Sequence, residues 1–119
     1  MNQNIIQHQG SSLPHHRLLA YGKALELLAA VRQAQIRDAK LRDEAVRAAK
    51  GSCLNCAEGA GRVTRADKAR AYAIARGECV ECVAGVEIAA ACGDARSESA
   101  REVAAIGNEL YLMLSALIR

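Results

Sequence analysis

Two cysteine pairs carry the side chains most capable of chemistry in this 119-residue chain. Two residues separate Cys53 from Cys56, and two residues separate Cys79 from Cys82. Two pairs with this spacing are the usual sequence signal for a zinc ion held by four thiolates. All four sulfurs must then lie about 2.3 Å from one point. The elements that carry the pairs therefore decide whether the site can form.

Caps and a three-four spacing of apolar residues predict four helices. They cover about residues 17–33, 38–58 and 64–92, and a fourth helix follows Gly93-Asp94. Thr64, with Asp67 three residues later, resembles a capping box that starts the third helix. Gly59 and Gly61 are predicted to end the second helix, because glycine enters the left-handed conformation without steric cost.

The composition predicts an all-α fold. Half of the residues (51%) are hydrophobic, yet the chain has no phenylalanine or tryptophan, only one proline, and many alanines. Alanine is the strongest helix former, whereas aromatic and β-branched residues favour strands. Short connections predict an antiparallel up-down-up-down four-helix bundle. We expect a flexible tail over residues 1–16 and one bundle domain over residues 17–119.

Helix geometry argues against a zinc ion shared by the two cysteine pairs. With a turn near Gly61, the first pair lies about six residues before the turn and the second about nineteen residues after it. At about 1.5 Å per residue the pairs would lie roughly 20 Å apart along the axis, too far for a metal or a disulfide. The four thiols also occupy core-facing positions, where a free cysteine packs as a small hydrophobic group. We predict structural thiols, and a metal or redox role stays the weaker alternative.

The sequence offers no catalytic constellation. All three histidines, His8, His15 and His16, precede the first helix, so no helix carries the Glu-x-x-His motif of di-iron bundles. No histidine within the helices can activate a serine or cysteine nucleophile. Gly59-Ala60-Gly61 lacks the lysine and threonine of a phosphate loop. We predict no enzyme activity, no cofactor and no small-molecule substrate, and we expect His15-His16 to be part of a solvated tail.

The sequence has no charged segment followed by an apolar run that would indicate a signal peptide, and no apolar stretch near the roughly 20 residues that span a bilayer. Five cysteines is an odd number, which fits reduced thiols in the cytoplasm better than a disulfide framework. The net charge of +3 is unevenly distributed. Residues 32–76 hold eleven Lys/Arg against five Asp/Glu, and residues 77–119 hold three against seven. This asymmetry suits either an anionic partner or docking between copies, unless both halves are ordinary solvated faces.

Two helices carry more apolar surface than one packing face uses. The first helix has a second row formed by Ala20, Ala24, Leu27 and Val31, and the fourth adds Leu112, Leu114 and Ile118. Broad apolar faces on outer helices of a small chain predict a neighbour that covers them. We therefore expect a homo-oligomer, with a wide alanine-lined core as the alternative.

The segment Asn55-Cys-Ala-Glu-Gly-Ala-Gly-Arg62 resembles the signature of a bacterial family of four helix bundle proteins, the 23S rRNA intervening-sequence proteins. The chain is also similar to the accessory variability determinant of diversity-generating retroelements. Family members usually read Asn-Ile-Ala-Glu-Gly-x-Gly-Arg here, so Cys56 replaces an isoleucine. The resemblance spans about residues 21–119 and implies a ring of subunits, a homopentamer. In the retroelement branch it implies that basic surface binds a reverse transcriptase and its template RNA.

The signature turn consists of Asn55, Glu58, Gly59, Gly61 and Arg62. The flanking cations, Arg62, Arg65, Lys68 and Arg70, are the densest basic cluster in the chain and the candidates for nucleic-acid binding. Because no aromatic residue lies nearby to stack on bases, binding would be directed at the nucleic-acid backbone and sensitive to salt. The alternatives are that these cations are solvated, or that they contact a neighbouring subunit in a purely structural oligomer.

Overall fold

A computed structural model describes residues 12–119. Among these residues it contains four α-helices and no strand, which confirms the all-α prediction. The helices are α1 (Leu19–Gln33), α2 (Ala39–Gly61), α3 (Arg65–Ala91) and α4 (Ser97–Ile118), and a 3₁₀ turn (Pro14–Arg17) precedes them. Most of the tail predicted over residues 1–16 lies outside the described residues.

Local side-chain chemistry sets the starts of α2 and α3. The Asp38 carboxylate accepts a hydrogen bond from the Leu41 amide at 2.9 Å, and the Thr64 hydroxyl accepts one from the Asp67 amide at 3.1 Å. Each bond satisfies an amide that has no partner within the helix. Gly93, with φ of +80°, follows α3 and reverses the chain before α4. The cap predicted at Thr64 is therefore confirmed, and Gly93-Asp94 separates α3 from α4 as predicted, although α4 begins after Arg96.

The prediction that Gly59 and Gly61 end the second helix in a left-handed conformation is wrong. α2 continues through Gly61, neither glycine has a positive φ, and the chain leaves the helix at Arg62 in an extended conformation. Gly59 is instead buried beneath the ring of Tyr72, where an added Cβ would lie 2.5 Å from a ring carbon. The glycine at this position permits close approach of two helices rather than a turn.

α2 and α3 form the most extensive interface, and α4 packs between α3 and α1. Three residue pairs mark the α2–α3 interface: Ala45 with Gly85, Ser52 with Ala75, and Gly59 with Tyr72. Residue numbers rise along α2 as they fall along α3. The buried core consists mainly of alanine, cysteine, valine and leucine side chains from all four helices. Small side chains let the helix axes approach closely, so a core without phenylalanine can still be filled.

The apolar row of α1 that was predicted to be covered by another subunit is part of the core of a single chain. Ala20, Ala24, Leu27 and Val31 are buried within one chain, and the other apolar row of α1, Leu18, Tyr21, Leu25 and Leu28, is half-buried at the edge. On α4, Leu114 is fully buried, but Leu112 is 60% exposed. The apolar rows of α1 therefore do not indicate an oligomer, whereas the exposed apolar residues on the outer side of α4 still do.

The expectation of a solvated His15-His16 tail is also wrong. Both histidines are half-buried, and the His15 ring packs edge-on against Tyr21 with centroids 4.7 Å apart. His16 Nδ1 accepts a hydrogen bond from the Leu13 amide at 3.0 Å.

Among residues 12–119, the structure contains no helix with the length and hydrophobicity of a membrane span.

We expect Gly59→Ala to destabilise the fold, because the added methyl group overlaps the buried Tyr72 ring. Overpacking of this kind costs about 1–3 kcal/mol in the free energy of unfolding. Gly77→Ala is the matched control, because Gly77 is an exposed position in the middle of α3 and a Cβ added there would meet no atom within 4 Å. That change should stabilise the helix by about 0.5–1 kcal/mol. Urea unfolding measures both, and equal effects of the two changes would contradict the close-approach role of Gly59.

Candidate nucleic-acid interface and the signature turn

The four predicted basic residues do flank the α2–α3 turn, but their environments differ. Lys68 is half-buried and donates hydrogen bonds from Nζ to the carbonyl of Ala60 at 2.9 Å and to that of Gly59 at 3.3 Å. These carbonyls belong to the last turn of α2, where the partial negative charge of the helix favours a cation. Lys68 is therefore committed to capping α2.

The three arginines of the turn are exposed. Arg62 forms an ion pair with Glu58 one turn earlier, and the nearby carboxylate raises the pKa of the Arg62 guanidinium. Arg65 donates a hydrogen bond to the backbone carbonyl of Arg119 at the end of α4. Arg70 forms no ion pair or hydrogen bond within the described part of the chain. Of the cations flanking the turn, Arg65 and Arg70 are thus the two exposed ones whose side chains form no ion pair with Glu or Asp within the described residues.

A recess of about 310 Å³ opens between α2 and α3 beside the turn. Its lining combines signature residues with their α3 neighbours: Asn55, Glu58, Arg62, Asp67, Arg70, Ala71 and Ile74. Cationic and anionic side chains both line the recess, so its electrostatic potential is less positive than the cluster of arginines in the sequence predicts. An extended anionic polymer that reaches Arg65 as well as Arg70 fits this charge distribution better than a small anion held in the recess.

Asn55 holds α2 and α3 together. Its amide donates to Glu78 Oε1 on α3 at 2.9 Å and to the Gly51 carbonyl on its own helix at 3.0 Å. Burial raises the pKa of Glu78, the Asn55 hydrogen bond opposes that rise, and the charge of Glu81 adds to it. Gly51 has no side chain to displace the Glu78 carboxylate. Sequence reasoning missed Glu78, because its partnership exists only once the α2–α3 register is known.

The four paired cysteines line the same interface from the core side. All four are buried free thiols, which confirms the predicted filler positions, whereas Cys92 is exposed at the end of α3. The predicted separation of roughly 20 Å is wrong. The turn is centred beyond Gly61, and the register leaves the two pairs offset by about five residues, or about 8 Å along the axis.

Proximity does not make the thiols a reactive centre. Burial raises the pKa of Cys53 and of Cys79 from 9.0 to about 11. Burial, reinforced by the neighbouring thiols, raises the pKa of Cys56 and of Cys82 to about 12. The Cys79 thiol donates a weak hydrogen bond to the Gly107 carbonyl at 3.3 Å. Among residues 12–119, no group of three or more His, Cys, Asp or Glu side chains is placed to hold a metal ion.

The fold and the α2–α3 turn can now be compared with known proteins. The family model described as 23S rRNA-intervening sequence protein matches residues 16–116, which is most of the chain. The chain belongs to the 23S rRNA-intervening sequence protein family. The resemblance carried by residues 55–62 is thereby confirmed. A comparison with curated proteins finds no match.

In this 23S rRNA-intervening sequence protein, much of the signature acts in helix packing. Asn55 bonds to α3, Gly59 admits the Tyr72 ring, and Glu58 pairs with Arg62 on the exposed side of α2. Gly61 is exposed, and a Cβ there would meet no atom within 4 Å. The signature therefore fixes how α2 meets α3 and leaves Arg65 and Arg70, which lie outside it, as the available cations.

We expect iodoacetamide at pH 7.5 to label Cys92 rapidly and the four core thiols only after unfolding. The thiolate is the nucleophile, and pKa values of about 11 to 12 leave almost none of it near neutral pH. Mass spectrometry of native and urea-unfolded protein measures the number of labels. Cys92→Ser should abolish the rapid label. Core labelling at the rate of Cys92 would show that the thiols are accessible.

We expect Asn55→Ala to destabilise the fold by about 1–3 kcal/mol, because the half-buried Glu78 carboxylate loses its amide donor. Arg62→Ala removes an exposed ion pair instead and should cost at most about 1 kcal/mol. Urea unfolding at pH 7 compares the two variants. Equal costs would mean that the signature asparagine has no special role in the interface.

Proposed function

We propose that this protein is a non-enzymatic, cytoplasmic four-helix bundle that self-assembles and binds RNA, or an enzyme that acts on nucleic acid, through the basic surface at the α2–α3 turn. The observation that carries this proposal is the position of Arg65 and Arg70. Both are exposed at the end of the bundle that carries the turn, Arg65 beside the end of α4 and Arg70 beside the α2–α3 recess, and neither forms an ion pair with an Asp or Glu side chain of the described residues. Cations placed in this way bind phosphates without reading base sequence.

The proposal includes an up-down-up-down antiparallel arrangement. At two further interfaces, residue numbers rise along one helix as they fall along the other, which supports this arrangement. Between α1 and α4, Lys23 is hydrogen-bonded to Glu109 and Leu27 lies beside Gly107. Between α3 and α4, Arg76 is hydrogen-bonded to Ser115 and Cys79 to Gly107. In this arrangement the α2–α3 turn lies at one end of the bundle. A ring of subunits, such as the homopentamer that the family resemblance implies, would repeat the basic end around one rim. Repetition raises the effective concentration of phosphate-binding groups, so weak individual contacts give useful affinity.

A purely structural oligomer is the second candidate. The exposed apolar residues of α4, Leu112 at 60% exposure above all, favour it, because they require a protein surface rather than an RNA backbone as cover. A reverse transcriptase is a further possible partner, and it would engage the same basic end. A cysteine-based metal function is the weakest candidate, because high thiol pKa values oppose formation of the thiolates that bind metal.

We expect Arg65→Glu with Arg70→Glu to reduce retention of single-stranded RNA on a filter by at least about tenfold in 50 mM salt. Wild-type retention should itself fall steeply as salt is raised, because phosphate contacts release counterions. Lys68 is left intact, since its loss would uncap α2. The fold should survive, because both positions are exposed and a glutamate at position 65, in the first turn of α3, is favoured by the helix dipole.

The matched control reverses two exposed cations away from both the turn and the other charged surfaces of the bundle, Lys40→Glu with Arg96→Glu, which changes the net charge equally. This control should retain RNA nearly as well as the wild type. Equal losses in both variants would mean that general charge, rather than the turn, attracts RNA. Salt-insensitive retention, or none at all, would remove the nucleic-acid proposal and leave the structural oligomer.

A further inference from the structure

A groove lies between α1 and α2, away from the basic turn. Its volume is about 530 Å³. The apolar residues Val31, Ile36 and Val46 line it, and the first two are almost completely buried. Its remaining lining is polar and mostly cationic: Arg32, Gln35, Arg42, Asp43, Arg47 and Lys50. This α1–α2 groove thus offers an apolar surface between cationic side chains.

Most of the cations of the α1–α2 groove are not used within the chain. Arg42 donates to the Ile36 carbonyl at 3.2 Å and lies 4.0 Å from the Asp43 carboxylate. The side chains of Arg32, Arg47 and Lys50 are exposed and form no hydrogen bond or ion pair within the described residues. A groove with this composition fits a partner that presents apolar side chains flanked by carboxylates.

The same chain presents such a surface on α4. Six exposed residues recur there at spacings of four and three: Glu98, Glu102, Ala105, Glu109, Leu112 and Ala116. This 4-3-4-3-4 pattern is the period of a helix face that packs along another helix. Glu98 and Glu102 form no ion pair within the described residues, whereas Glu109 bonds Lys23 at 3.0 Å. We call these six residues the acidic stripe.

We propose that the acidic stripe of α4 from one copy of the chain docks into the α1–α2 groove of another copy. This proposal rests on the self-assembly in the proposed function and names its two surfaces. Leu112 and the alanines pack on Val46 and on the aliphatic parts of the groove cations, and the glutamates pair with Arg32, Arg47 and Lys50. The groove cations from Arg42 to Lys50 extend over about 12 Å, and Glu98 to Glu109 over about 16 Å, so the charged segments have similar lengths.

Each of the two surfaces also has one side chain of the opposite charge, and these two side chains are complementary to each other. Arg101 lies beside the acidic stripe, and Asp43 is the one carboxylate in the groove lining. RNA would satisfy the groove cations but would leave Val46 and Leu112 without an apolar partner. A second copy satisfies both requirements with surface that the chain already has. Because the two surfaces are different, the contact is heterologous and builds a ring or a chain of subunits rather than an isolated dimer.

The test uses the full chain and measures mass by sedimentation at matched concentrations. The groove variant is Arg47→Glu with Lys50→Glu, and the stripe variant is Glu98→Lys with Glu102→Lys. We expect wild-type protein to be oligomeric and each variant to be monomeric. A mixture of the two variants should form mixed oligomers, because the intact stripe of the first variant enters the intact groove of the second, and the altered groove and altered stripe are again opposite in charge. The chain that carries all four changes should self-assemble again.

Two controls match these charge changes outside both surfaces. Arg65→Glu with Arg70→Glu matches the groove variant, and Glu81→Lys with Glu87→Lys matches the stripe variant, since all four residues are exposed. Both controls should keep the wild-type mass. Helical circular dichroism and the unfolding midpoint confirm that each variant is folded.

The outcomes separate this inference from the proposed function. A monomeric wild type would overturn self-assembly and this interface together. A wild-type oligomer that survives in both variants would overturn the interface alone. Loss of RNA retention in a groove variant that remains oligomeric would assign the groove to nucleic acid and also overturn the inference. Dissociation of the separate variants together with formation of mixed oligomers on mixing supports it.

Discussion

The close approach of α2 and α3 is the contact on which the rest of the structure depends. Gly51 and Gly59 leave space for the Glu78 carboxylate and the Tyr72 ring. The Ser52 hydroxyl and the Asn55 amide supply the hydrogen bonds that a tightly packed interface needs. Because proteins pack at nearly crystalline density, this one contact determines which side chains of both helices reach the core.

The α2–α3 contact also decides the chemistry of the cysteines. Packing removes the paired cysteines from water, and their raised pKa values follow from that burial. A spacing that marks a metal site in many proteins here supplies medium-sized apolar groups that fit between alanines. The Cys-x-x-Cys pattern is ambiguous because three-residue spacing is both a chelating distance and one face of a helix.

In this member of the 23S rRNA-intervening sequence protein family, the signature residues thus join two helices more than they form a binding site. The surfaces left for function are charged and lie elsewhere: the arginines beyond the α2–α3 turn, the α1–α2 groove and the acidic stripe of α4. Their opposite signs explain the uneven charge along the chain, with its positive middle and negative end. A single charge distribution therefore serves both partner attraction and self-assembly in the proposed function.

Sequence alone determined the helices, because alanine content, apolar periodicity and caps such as Thr64 act over only a few residues. It also located the buried thiols and the basic turn. Only the tertiary structure decided the register of α2 on α3, and with it the partnership of Asn55 with Glu78 and the offset of the cysteine pairs. The physical reason is geometric: moving a helical turn by one residue changes the relative height of facing residues by two. A small error at Gly61 therefore became a large error at the cysteines.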